Sequence, residues 1–144
     1  MGETKEIKTL SQYPSHTFEK LRYADTDRQG HINNSIFSVL CESGRVNFLY
    51  DAEKPLSVNG TEFVIAEITI RFIKELNWSS HVDIGTGVSR IGRSSFGLTQ
   101  ALFFNGDCVA TADSVIVLMD EETRRSTQLP NTTRAALEEL KVVS

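Results

Sequence analysis

The chain has 144 residues, 40% hydrophobic and 24% charged, which is enough apolar material for one globular domain and too much for a disordered chain. Its formal net charge of -4 argues against nonspecific nucleic-acid binding, because neutralising a phosphate backbone takes a basic surface. Two cysteines, Cys41 and Cys108, are too few for a secreted disulfide scaffold and read as reduced, buried thiols.

The stretch MGETKEIKTLSQYPSH lacks an apolar core of signal-peptide length, and no uninterrupted apolar run is long enough to cross a bilayer. A cytoplasmic protein with no membrane or nucleic-acid partner is the expectation. No repeat, low-complexity tract or linker divides the chain. Residues 1–144 therefore read as one domain, with the first 14 or so loosely ordered.

The first extended segment is expected at residues 16–23. It runs into a polar loop, Ala24-Asp25-Thr26-Asp27-Arg28-Gln29-Gly30-His31, through which no regular element can be argued. The best helix spans residues 34–50, where Phe37, Leu40, Cys41, Gly44 and Phe48 recur at helical spacing and line one face. Asn33 or Asn34 suits its N-cap, since the side chain can accept from an orphan amide of the first turn. Gly44 in the middle costs the helix about 1 kcal/mol, which makes sense where a sheet must approach closely.

The remainder reads as strands. In FVIAEITIRFI, Val64, Ala66, Ile68, Ile70 and Phe72 alternate with Glu67, Thr69 and Arg71, the period of a half-buried strand. Residues 82–91 alternate through Val82, Ile84, Thr86 and Val88, and Gly92-Arg93-Ser94 follows as a turn. Phe96, Leu98, Gln100, Leu102 and Phe104 continue the pattern. Asn105-Gly106-Asp107 signals a hairpin, because Asn-Gly tolerates positive φ. Residues 108–119 form the last long strand, and Leu129-Pro130-Asn131 opens a short helix to about residue 141. The result is an α+β layout, with one long helix against a curved, mainly antiparallel sheet. A doubly wound dinucleotide-binding fold is excluded, because it needs alternating βαβ units.

Chemistry concentrates between Arg22 and Asn34. Asp25, Asp27, His31 and two asparagines lie on a loop that runs straight into a helix N-terminus. Free amides there point outward and the helix dipole favours negative charge, so they can hold the oxyanion formed when a carbonyl is attacked. A nearby carboxylate can attack or can activate water. Three other readings compete for these residues. A calcium loop counted from Asp25 needs Glu at its twelfth position, where Ile36 stands. A transition-metal site at Asp25, Asp27 and His31 lacks a second His or Cys at helical spacing, so no metal is expected. The plainest alternative is a polar turn capped by its own Asp and Asn side chains.

R-Y-A-D-T-D-R-Q-G-H-I-N-N-S-I-F, followed by Glu42 and Arg45 on the helix, resembles the signature of the 4-hydroxybenzoyl-CoA thioesterase family. That signature is an aromatic, D-x-D, a glycine soon after, H-x-N-N and an E-x-x-R pair. Val64-Ile65-Ala66-Glu67, the turn at residues 90–96 and the stretch 120–130 are similar too, so the resemblance runs from about residue 16 to 140. It implies a hotdog fold, in which the sheet wraps a long central helix. It also implies an acyl-CoA thioesterase that hydrolyses a thioester to free acid and CoA without a cofactor. Its site would lie between the protomers of a homodimer or homotetramer.

By the same resemblance Asp27, the second Asp of D-x-D, is the catalytic carboxylate, acting as nucleophile or general base. The Asn34 amide would polarise the thioester carbonyl, while His31 and Asn33 shape the loop or hold water, and Asp25 is structural. Arg90, Arg93, Ser94 and Ser95 fall where the family faces the CoA phosphates or pantetheine, and cations and hydroxyls suit phosphate oxygens. Arg71 and Lys74 are weaker candidates of that kind. Phe37 stands where many relatives carry Tyr, which alters the acyl pocket. Glu42 reads as the i, i+3 ion-pair partner of Arg45. Two other functions stay open: a hotdog acyl-thioester hydratase or dehydratase using His31 with Asp27, and a non-catalytic acyl-CoA-binding module. The acyl group is not legible, because pocket depth is set by side chains that meet only in the folded protein.

Overall fold

The structure is a computed structural model that describes residues 9–51, 53, 56–78 and 81–143. The expected loose N-terminal stretch falls outside the described residues over 1–8. From Thr9 onward the chain is tied down: a 3-10 turn at Leu10–Gln12 leads to Tyr13, which is buried edge-on against Phe103.

The elements are β1 (Ser15–Lys20), α1 (Asn34–Leu49), β2 (Thr61–Phe72), β3 (His81–Ile91), β4 (Ser95–Phe104), β5 (Asp107–Asp120) and α2 (Asn131–Glu139). The strands form one sheet of order β1-β3-β4-β5-β2, and every neighbouring pair is antiparallel. This is the α+β order expected from the sequence. β1 stops at Lys20, short of the expected residue 23, because its partner β3 begins opposite it at His81.

α1 starts where Asn33 caps it, with Oδ1 accepting from the Ser35 amide at 3.0 Å. Its buried face is Phe37, Leu40, Cys41, Gly44, Arg45, Phe48 and Leu49. A Cβ added at Gly44 would lie 2.6 Å from Gln100 Nε2 and 2.6 Å from Ile84 Cγ2. The helix therefore meets β3 and β4 there through bare backbone, which is the reason for the glycine. Beside it Gln100 Nε2 donates to the Cys41 carbonyl at 2.9 Å and to Thr86 Oγ1 at 3.1 Å.

The expected Glu42–Arg45 pair is not formed. Arg45 is buried with Nη1 unpartnered, while Glu42 is exposed. The boundary between the covered and open faces of α1 passes between these two positions, so the cation turns inward and the carboxylate stays in water.

β2 differs from its expected alternation. Ile65 pairs with Ile116 and Glu67 with Val115, which leaves Ala66 as the extra residue of a bulge. One extra residue reverses the parity of every side chain beyond it. Before the bulge Phe63 is the inward residue, packed edge-on against Phe96. After it Ile70 packs on the core and Phe72 stands edge-on to Phe37. Val64 thus does not share a face with Ile70 and Phe72.

The later strands follow expectation. Phe96, Leu98, Gln100 and Leu102 of β4 are fully buried. The hairpin to β5 turns at Asn105 (φ 50) and Gly106 (φ 84), the left-handed pair that a two-residue turn requires. α2 closes one end of the core through Leu137 and is held by Thr133 Oγ1 donating to the Leu56 carbonyl at 2.7 Å.

Candidate active site

The loop before α1 is built by its own side chains. Tyr23–Asp25 forms one 3-10 turn, and Asp25 is 5% exposed. Its carboxylate accepts from the Arg22 amide at 3.0 Å and from Arg22 Nη2 at 2.8 Å. The Arg22 guanidinium, helped by the Arg22 amide, holds the Asp25 carboxyl below the usual carboxylate range against the opposing effect of burial. The Asp25 carbonyl in turn accepts from the Asn33 amide at 2.8 Å. Asp25 therefore ties the start of the loop to the start of α1.

Asp27 lies on the next turn. Its amide donates to the His31 carbonyl at 2.7 Å, and its carbonyl accepts from Gly30, which sits at φ 84 where glycine is favoured. Asp27 Oδ1 accepts from the Gln29 amide at 2.8 Å and the His31 amide at 3.1 Å. One carboxylate oxygen is thus spent on aiming the group. The other, Oδ2, takes no hydrogen bond from a described residue.

The foot of α1 is similarly selective. The Asn33 amide donates to the Asp25 carbonyl, the Ser35 amide to Asn33 Oδ1, and the Ile36 amide to the Asn33 carbonyl at 2.9 Å. The Asn34 amide is left without an acceptor among the described residues. Asp27 and Asn34 both border one cleft of about 350 Å³, together with His31, Phe37, Phe72 and Glu75.

Of one wall of this cleft, the segment at residues 73–76, sequence reasoning singled out Lys74 and missed Glu75. The segment is joined to the Asp27 loop by the Ile32 amide donating to the Leu76 carbonyl at 2.6 Å and by a bridge between His31 and Asn77. From this wall Glu75 Oε2 comes within 3.2 Å of His31 Nε2. A single Glu in a polar stretch carries no local signal, and only the pairing of the two segments marks it.

Of the other sequence candidates only Lys74 lines the cleft. The Asn33 side chain is spent on the cap, accepting from the Ser35 amide and from Ser35 Oγ at 3.1 Å. Arg90, Arg93, Ser94 and Ser95 stand at the far end of β3, on the order of 35 Å along the strand from His81. One protomer does not bring them to the Asp27 cleft. Their turn is pinned by the Leu129 amide donating to the Arg93 carbonyl and by Arg134 Nη2 donating to the Gly92 carbonyl, both at 2.8 Å. Arg71 pairs with Asp113 at 2.8 Å, whereas Lys74 lines the cleft. Among the described residues no group of three or more His, Cys, Asp or Glu is placed to hold a metal.

Residues 21–137 match the thioesterase-like superfamily. The chain belongs to the thioesterase-like superfamily. A predicted thioesterase from Bacillus stearothermophilus superposes on it with a TM-score of 0.81 at 28% identity, covering 90% of this chain and 97% of that one. A thioesterase from Thermus thermophilus, complexed with coenzyme A and zinc, gives 0.78 at 24% identity over 90% and 96% of the two chains. A DHNA-CoA thioesterase from Staphylococcus aureus gives 0.73 at 19% identity over 88% and 91%. At those last two identities the likeness establishes the fold alone. No curated protein sequence matches the chain significantly. The hotdog fold implied by the sequence resemblance is the fold of this superfamily member, and its relatives support thioesterase activity in general terms. No helix among the described residues is long and apolar enough to cross a membrane.

Proposed function

We propose that the protein is an acyl-CoA thioesterase that cleaves its substrate in the cleft between Asp27 and Asn34. What supports this reading is that Asp27, with one carboxylate oxygen unbonded among the described residues, and Asn34, whose amide has no acceptor among them, line one cavity. The thioester carbonyl oxygen accepts from the Asn34 N–H, at the positive end of the α1 dipole, where the charge of the tetrahedral intermediate develops. Asp27 attacks the carbonyl carbon or takes a proton from an attacking water. The C–S bond then breaks with its electron pair going to sulfur, and CoA departs. Phe37 and Phe72, with ring centroids 5.1 Å apart, give the acyl group an apolar surface.

A second copy completes the site in this reading. β2 is an edge strand of the sheet and exposes Ile65. Two β2 edges paired antiparallel about a two-fold axis extend the sheet. The residue 90–95 turn and the Asp27 cleft lie at opposite ends of a protomer, so this pairing carries the turn of one copy toward the cleft of the other. Arg90, Arg93, Ser94 and Ser95 then face the phosphates and pantetheine of CoA, and the assembly is a homodimer or a tetramer of such dimers.

Asp27→Asn is the decisive variant. Asparagine keeps an Oδ1 acceptor for the Gln29 and His31 amides and removes the charge. CoA release, followed with a thiol reagent, should fall by roughly 10² or more, with the melting temperature preserved. Undiminished release would remove Asp27 from the mechanism. A second reading, an acyl-thioester hydratase, draws on His31 lining the same cleft. Loss of enoyl-CoA conjugation without thiol release would favour it, and acyl-CoA binding without turnover would favour a binding module.

A further inference from the structure

We infer that Glu75 is a positioning residue which, given the thioesterase reading, acts through His31 to help the CoA sulfur leave. The cleft already holds a group for attack, Asp27, and a donor for the carbonyl oxygen, the Asn34 amide. Neither serves the third locus of the reaction, the sulfur on which charge builds as the C–S bond breaks. Asp27, His31, Lys74 and Glu75 are the titratable side chains lining the cleft. Lys74 is drawn toward Asp107, at 3.7 Å. His31 is left as the proton donor.

The geometry suits that task. His31 is fixed to the Asp27 turn by two main-chain bonds, at 3.1 Å to Asp27 Oδ1 and 2.7 Å from the Asp27 amide. Its imidazole is partly covered, and Nε2 lies 3.2 Å from Glu75 Oε2, within hydrogen-bond reach. Nδ1 makes no bond with a described residue. A carboxylate on one ring nitrogen fixes the ring orientation, and the other ring nitrogen is left for the sulfur. The segment carrying Glu75 is held at both sides, since the Ile73 and Lys74 amides share the Val109 carbonyl and the Leu76 carbonyl takes the Ile32 amide.

Along the water route, oxygen adds to the carbonyl carbon as Asp27 accepts the water proton. The intermediate collapses with the C–S pair going to sulfur, and the His31 imidazolium protonates that sulfur. Free acid and thiol depart, and the proton on Asp27 returns to His31 through solvent. Water is the only co-reactant.

The test is leaving-group dependence. One acyl group is presented on CoA and on thiophenol, whose aryl thiolate leaves with little help. Glu75→Gln should lower kcat on the CoA ester by roughly three- to tenfold, the range of a partly exposed ion pair in a general-acid role. The loss should shrink markedly on the thiophenyl ester, and in a His31→Gln background Glu75→Gln should add nothing. Equal losses on both esters, no loss on either, or an additive loss in the double variant would overturn the role of Glu75. Asp27→Asn should lose activity on both esters. A wild type that cleaves neither would overturn the thioesterase reading itself, and the two failures are thereby told apart.

Discussion

Replacing Gly44 with alanine should destabilise the protein, against the intrinsic preference of a helix. Alanine in a helix interior is favoured over glycine by about 1 kcal/mol. Here the new methyl would stand 2.6 Å from both Ile84 Cγ2 and Gln100 Nε2, inside the closest approach real Cβ atoms make. Ile84 is fully buried and β-branched, so its χ1 is restricted and its neighbours resist its displacement. Gln100 can retreat only by giving up its bonds to the Cys41 carbonyl and Thr86 Oγ1. Overpacking of this kind costs about 1–3 kcal/mol, and a buried acceptor left short of a donor costs about 1–3 kcal/mol more. The expected balance is a net loss of about 3 kcal/mol after the propensity gain is subtracted. Urea unfolding at one fixed protein concentration would show it as a lower midpoint with an unchanged slope. Ser38→Ala, on the exposed face of the same helix, is the control and should be neutral or slightly stabilising. A Gly44→Ala protein as stable as the wild type would refute the claim that α1 and the sheet meet through backbone at this point.

Three further outcomes follow from the local chemistry. Asn33→Ala should cost about 1 kcal/mol by releasing the Ser35 amide, while Asn33→Asp keeps most of the cap, and thermal melts would separate them. The Cys41 thiol, pushed up to about 11 by burial, should resist a maleimide or disulfide reagent at pH 8 until denaturant is added. Prompt labelling of the folded protein at Cys41 would contradict the packing of α1. The Asp25 carboxyl is held below its ordinary value by Arg22, so its stabilisation is fully present above about pH 4 and is lost as pH falls through the lower folded-state value. Urea midpoints of the wild type and Asp25→Asn should therefore lie farthest apart above about pH 4 and converge in acid; a constant gap would deny the Arg22 pairing its role.

Much of the fold was legible because its signals are local. The apolar spacing from Phe37 to Phe48, the Asn33 cap and the Asn105-Gly106 turn each act within a few residues, and each recurs in the structure nearly where expected. The β4 alternation also held, since a strand buried beneath a helix cannot change face without a defect in pairing. β2 carried such a defect. Nothing in FVIAEITIRFI distinguishes Ala66 as an extra residue, because a bulge is defined by the partner strand opposite it. Arg45 failed for a related reason: an arginine on a helix looks exposed until the sheet beneath it is known.

The amino-acid order alone determined the juxtaposition of Asp27 with the foot of α1. A short loop closed by its own side chains and ending in a capped helix leaves few ways to separate the two. Only the tertiary structure decided that Glu75 faces His31 and that the turn at residues 90–95 stands at the opposite end of the sheet. These relations depend on which strands become neighbours and in what register. Register is set by the summed burial of whole faces, and no single residue encodes it.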